Sequence, residues 1–192
     1  MLFRSGGVAV GLSGAIGLDY VTSQGCTPIG EPWTVTRSRD NLLLEIGNRP
    51  AYEVFLETVQ GLPPNLANKA QGNLFVGLAI NEYRDELSRG DFLIRNLLGA
   101  DPNKGILAIG ALPRTGQTVQ FQLRSSATAS DDLTTLLANK ANELSDKIIH
   151  GALLFTCNGR GRRLFGSPHH DAGCVSQQFP DLGLRSEEHT SE

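Results

Sequence analysis

Between residues 74 and 124 four apolar runs follow one another with no helical pattern between them, and this stretch constrains the fold more than any other. Residues 74–80 are apolar throughout, as a strand covered on both faces is. Residues 92–97 follow after a connection carrying Arg84, Asp85, Glu86 and Arg89, and residues 106–109 after the turn Asp101-Pro102-Asn103-Lys104-Gly105. Residues 118–124 alternate without a fault: Val119, Phe121 and Leu123 turn to a core, while Gln120, Gln122 and Arg124 turn the other way. Strands joined this closely pair antiparallel, because a parallel pair needs a crossover of a dozen or more residues. The expected class is therefore α+β, a mixed, largely antiparallel sheet with flanking helices, in which these four strands form a meander.

The flanking sequence supplies the other elements. Residues 7–12 read as the end of a buried strand, and residues 33–36 and 42–46 as short strands. Pro50 suits the start of a helix that places Tyr52, Phe55, Leu56 and Val59 on one face before Gly61-Leu62-Pro63-Pro64 stops it. Ser130 followed by Asp131 and Asp132 has the pattern of an N-cap, and Leu133, Leu136, Leu137, Ala141, Leu144 and Ile148 then repeat at helical spacing. That predicts a helix over 131–147, covering the sheet. Residues 149–156 return as a buried strand, and a short helix is expected within 168–179.

Charge and cysteine usage exclude several functions. Seventeen basic against 20 acidic residues give a formal net charge of −3, which leaves no surplus for gripping nucleic acid or an anionic membrane. Three cysteines make no disulfide framework, and the sparse, odd count reads as reduced thiols in a cytoplasmic protein. No apolar run approaches the roughly 20 residues of a membrane-spanning helix, so no membrane insertion is expected.

Chemistry concentrates where the last apolar strand runs into Cys157-Asn158-Gly159-Arg160-Gly161-Arg162-Arg163. Glycines let the backbone turn tightly, and an arginine beside them offers a planar fork to a carboxylate or phosphate. Arg95 and Arg124 lie within apolar or alternating strands, where they either line a ligand cavity or face water from a one-sided sheet. Cys26 and Cys157 lack metal-site spacing and read first as buried structural cysteines. His169-His170-Asp171 resembles a fragment of an acid–base or metal site, with a polar loop as the simpler reading. His150, expected on an apolar strand, is either a hydrogen-bonded core histidine or a haem ligand. No acid, base and nucleophile converge by spacing, so no enzyme activity is expected.

The two ends share an origin. Arg185-Ser186-Glu187-Glu188-His189 can be encoded by AGA TCG GAA GAG CAC, and the reverse complement reads as Met1-Leu2-Phe3-Arg4-Ser5 once its first codon serves as a start. Residues 1–5 and 185–192 are therefore read as translated sequencing-adapter DNA, expected to pack nowhere and to form no regular structure.

Four ordered motifs carry a resemblance. They are Gly25-Cys26-Thr27-Pro28-Ile29-Gly30, then Gly90-Asp91-Phe92-Leu93-Ile94-Arg95-Asn96, then residues 116–124 (Gly-Gln-Thr-Val-Gln-Phe-Gln-Leu-Arg), then residues 151–161 from Gly151 through Cys157 to Gly161. Together they resemble the FIST family, named for F-box and intracellular signal transduction proteins. The resemblance implies the end of a FIST N-terminal region over 6–37 and a truncated FIST C-terminal domain over 38–184; the family's Gly-Glu-Ile-Gly-Pro type motif does not follow Leu184. It also implies a non-enzymatic sensory domain for small ligands, amino acids among them, acting on a signalling partner such as a histidine kinase or cyclase. The motifs fall on Cys26, Arg95, Asn96, Phe121, Arg124, Cys157, Gly159, Arg160, Gly161, Phe165 and Asp171. Of these, Arg95, Asn96, Arg124, Cys157, Gly159, Arg160 and Gly161 are the expected ligand contacts, with no metal and no cofactor. The alternatives are a haem-based nitric-oxide sensor using His150, His169 or His170, and, third, an uncharacterised enzyme with Cys157 or Asp171 as its reactive group.

Overall fold

The computed structural model describes residues 11–84, 86–157 and 159–188, with the backbone alone described at 69 and 184–188. In chain order the elements are β1 (Cys26–Arg39), β2 (Leu42–Ile46), β3 (Arg49–Pro50), α1 (Ala51–Gln60), α2 (Pro64–Ala70), β4 (Leu74–Ala79), β5 (Phe92–Asp101), β6 (Ile106–Ile109) and β7 (Thr118–Arg124). Then come α3 (Ser126–Glu143), β8 (Ala152–Thr156), α4 (Arg162–Phe165), α5 (His170–Gln178) and β9 (Leu184–Glu188).

The antiparallel strands run in the order β1-β7-β4-β5-β6-β2, and β1 pairs with β2 as well, so six strands close into a barrel with β3 appended to β2. Closure depends on the length of β1. Its first half pairs with β7, from Cys26 opposite Arg124 to Thr34 opposite Thr118, and its second half with β2, from Val35 opposite Ile46 to Arg39 opposite Leu42. Between Ile29 and Trp33 the register slips, and Gly30 sits at φ +63°. That bulge bends β1 so that one strand serves two neighbours. The strands of 74–124 share one antiparallel sheet as expected, but β7 pairs with β4 and not with β6. The meander is thus cut short, because β1 takes the other edge of β7.

The barrel interior is filled by one face of each strand. Val35, Leu43, Ile46, Val76, Leu107, Ile109, Val119 and Phe121 are fully buried, and Phe55 of α1 meets Phe121 edge-on with ring centroids 5.2 Å apart. Each such side chain contributes roughly 1.5–3 kcal/mol by leaving water. A second, smaller cluster joins α3 to α5 through Leu133, Leu137 and Val175, with Leu154 of β8 against it. Thus α3 packs chiefly on α5 and does not cover the sheet.

Three further expectations are corrected. The long helix starts five residues before 131, because Ser125 and Thr128 form a reciprocal capping box (Thr128 N–H to Ser125 Oγ, 3.2 Å) and leave Ser130 inside α3. The last strand is not buried: Leu153 is 72% and Phe155 76% exposed, and His150 lies exposed ahead of it. Finally, residues 185–188 are not irregular but pair in parallel with β8, from Ala152 opposite Leu184 to Thr156 opposite Glu188. An open strand edge offers a row of N–H and C=O groups to any extended segment within reach, whatever its side chains. Residues 1–5 and 189–192 lie outside the described residues, as do 7–10.

Candidate functional site

The paired ends of β1 and β7 bring Cys26 and Arg124 opposite one another. Immediately beyond β7 the chain enters α3, and the segment before β1 lies along that helix. Asp132 of α3 accepts from the Ser23 hydroxyl (2.7 Å) and the Gly25 N–H (3.2 Å) and forms an ion pair with Arg89 (3.4 Å). Close approach is possible because residue 25 is glycine: its φ is +63°, and a Cβ there would lie 2.6 Å from that of Ala129 and 3.2 Å from Arg160 Nη1.

Arg160 comes from the turn after β8 and is the best-anchored polar group of the region. Its Nε and Nη2 donate to the two carboxylate oxygens of Asp171, at 2.5 and 2.9 Å, and the two side chains are only 8% and 7% exposed. Burial pushes the Asp171 carboxyl upward, but the hydrogen bonds and charges of Arg160 and His170 outweigh it and hold the group below the usual carboxylate range. His170 donates or accepts at both ring nitrogens, Nδ1 to Asp171 (3.1 Å) and Nε2 to Ser130 Oγ (3.1 Å), with its ring stacked 3.6 Å from that of Phe165. This Ser130–His170–Asp171 chain has the connectivity of a hydrolytic triad. Its carboxylate, however, is also engaged by a bidentate arginine, so the same chain of hydrogen bonds links α3, α5 and the turn.

Arg124 stands beside this network. Its guanidinium lies 4.3 Å over the ring of Phe75, and a Cβ on Gly159 would lie 3.2 Å from its Nη1 and 3.6 Å from Cys157 Sγ. Among the described residues no carboxylate forms an ion pair with it. Arg124 Nε and Arg160 Nη1 are both buried and without a hydrogen-bond partner. Burial pushes the Cys26 thiol up, with the adjacent Arg124 working against it.

The expected site residues therefore divide. Arg124, Cys157, Gly159 and Arg160 come together, and Gly161 forms the N-cap of α4 at φ +123°. Cys26 is buried as expected, but Cys157 is exposed. Arg95 does not join them: it pairs with Val76, which faces the barrel interior, while Arg124 shares the opposite face with Phe75, and the Arg95 guanidinium donates to the carbonyl of Ile94 (3.0 Å). Asn96, opposite Phe75, lies on the face of Arg124 but two strands away and exposed. Strand parity alone separates Arg95 from Arg124 once the pairing is known. Sequence reasoning missed Ser130 as a partner of His170, and read His169-His170-Asp171 as a loop where α5 begins. Among the described residues no cluster of His, Cys, Asp and Glu is arranged to hold a metal ion, and no helix is long and apolar enough to cross a membrane.

The fold is thus an α+β barrel with the half-buried Arg124 close to the Arg160 turn. A model of the FIST C domain matches residues 51–184, and one of the FIST N domain matches residues 2–49. The chain belongs to the FIST family. It is 44% identical over 183 residues to the uncharacterized protein Rv0628c of Mycobacterium tuberculosis and 43% identical over 183 residues to the uncharacterized protein Mb0898c of Mycobacterium bovis. Each alignment covers 95% of this chain and 47% of the relative, so the chain spans about half the length of the curated relatives it matches. No solved structure matches. The two family matches meet at residue 50, so β1 and β2 from the first and β4 to β7 from the second build one barrel between them.

Proposed function

We propose that this is a small-ligand-binding sensory domain, non-enzymatic, whose ligand presents an anionic group to Arg124 and Arg160. The observation that carries the reading is the pair of buried guanidinium N–H groups left without an acceptor where two remote parts of the chain meet. An unpaired buried donor costs about 1–3 kcal/mol, more for a charged group, which a bound anion would recover. Zwitterionic amino acids and small carboxylates fit that need. Occupancy would be passed to a signalling partner such as a histidine kinase or cyclase, through the turn that joins the arginine site to β8 and α5.

The test is a thermal-shift screen of amino acids and small carboxylates against the full-length protein, repeated with Arg124→Gln. Loss of one charge-assisted hydrogen bond, about 1.5–3 kcal/mol, weakens binding by roughly ten- to a hundredfold. Arg160→Ala is the poorer variant, since it also strips Asp171 of its partner. An unchanged response in Arg124→Gln would reject the site, and a Soret band in the purified protein would favour the haem-based reading instead.

A further inference from the structure

We infer that the bare face of β8 is an interface inside the full-length protein, covered by the FIST N region that runs into residue 11 from upstream. Strands paired in parallel occur almost only in sheets covered on both faces. β8 and β9 are such a pair, joined through α4 and α5, and on β8 the described residues cover one face alone. Leu154 packs with Leu133, Leu137 and Val175 of α3 and α5, while Leu153 and Phe155, which alternation turns to the other side, are 72% and 76% exposed. A strand built to face water on one side carries polar residues there. Ala152-Leu153-Leu154-Phe155 has none, so its composition is that of a strand buried twice over. Nor can the lobe stand on what lies beneath it: three buried side chains form that cluster against fourteen in the barrel cluster, and two strands by themselves are marginal in water.

The occupant follows from the course of the chain. Each curated relative is covered over 47% of its length, so more of it lies outside the match than within. The segment that leads into β1 already runs along this lobe: Asp19 pairs with Lys140 at 3.6 Å and Lys147 at 3.5 Å, and Val21 joins the cluster around Leu154. Leu12, Ile16, Leu18 and Tyr20 of that segment are exposed. The FIST N match takes in all of it. Apolar surface on β8 and apolar surface on the incoming FIST N segment thus belong to one lobe, both uncovered by the described residues, and together they exceed the scattered single side chains that need no explanation. A tethered chain meets such a face at high effective concentration, whereas a separate protein or a second copy has first to lose its translational freedom.

The experiment compares the full-length protein with the 192-residue chain by hydroxyl-radical footprinting at Leu153 and Phe155, and adds photo-cross-linking from Phe155→p-benzoylphenylalanine in the full-length protein. Oxidation of both side chains should fall about tenfold in the full-length protein, at any protein concentration, as burial in an interface core requires. The cross-link should form within one chain and map upstream of residue 11. Leu153→Glu with Phe155→Glu serves where the photoreactive side chain does not fit: it should lower the urea midpoint of the full-length protein and leave that of the shorter chain unchanged. Equal oxidation in the two proteins, or equal midpoints with and without the glutamates in the full-length protein, overturns the interface. Protection that grows with concentration, or a cross-link between chains, assigns the face to a second copy, and a cross-link to a segment beyond residue 184 assigns it to downstream chain; either result overturns the proposal.

Discussion

Asp171 is the residue on which the arrangement turns, because it is a buried carboxylate with a buried cation on both its oxygens. Removing one member of such a pair leaves the other charged and unsolvated, which costs about 3–5 kcal/mol. Asp171→Asn should lower the urea midpoint accordingly, and a midpoint within error of the wild type would show that the pair is not closed in solution. The pH dependence has a definite sign. A carboxyl held below its ordinary value stabilises the fold fully above its unfolded pKa of about 3.9, and that contribution is lost as pH falls through the lowered native value. Wild-type stability should therefore drop below about pH 4 more steeply than that of Asp171→Asn. At Gly25 the backbone sets the limit: alanine there takes a left-handed φ and drives its Cβ to 2.6 Å from Ala129, so Gly25→Ala should destabilise by roughly 1–3 kcal/mol in the same assay.

Elements divide by how local their determinants are. Residues 118–124 and 50–60 were legible because alternation and a proline start are written in adjacent residues. The start of α3 was not, because two serine caps compete within six residues, and the one followed by acids looks the stronger. What decides is the reciprocal pair Ser125 and Thr128, while Ser130 is drawn to His170 across 40 residues of sequence. Accordingly Ser125→Ala should cost about 0.5–2 kcal/mol, and Ser130→Ala should leave the helix start unchanged. Thermal unfolding with helix content from circular dichroism separates them; equal loss of helix in both variants would reject the assignment of the cap. β8 marks the opposite failure. Its unbroken apolar run predicts burial, yet Leu153 and Phe155 face outward, because only Leu154 meets the α3–α5 cluster. The candidate site was half legible for a related reason. Glycine and arginine mark the turn, but which arginines join it depends on strand pairing, and parity sends Arg95 to the other face.

At the scale of the molecule, closure of the barrel depends on one strand. β1 gives its first half to β7 and its second to β2, so it occupies both edges of what would otherwise be an open five-stranded sheet. It also contributes Ile29 and Val35 to the interior, and β2 adds Leu43 and Ile46. A chain beginning at residue 50 keeps the whole of the FIST C match but loses β1, β2 and four buried aliphatic side chains, together about 6–12 kcal/mol at roughly 1.5–3 kcal/mol each. That is comparable to the whole stability of an ordinary domain, about 5–15 kcal/mol. It also leaves β7 and β6 with exposed edges. The shortened chain should show no cooperative urea transition and should aggregate on concentration, whereas the chain from residue 11 onward should unfold in a single transition. A cooperative transition in the shortened chain would mean that β4 to β7 form a self-sufficient sheet. In that case β1 would serve mainly to bring Cys26 and Gly25 to the arginine pair, and the two family regions would fold as separate units.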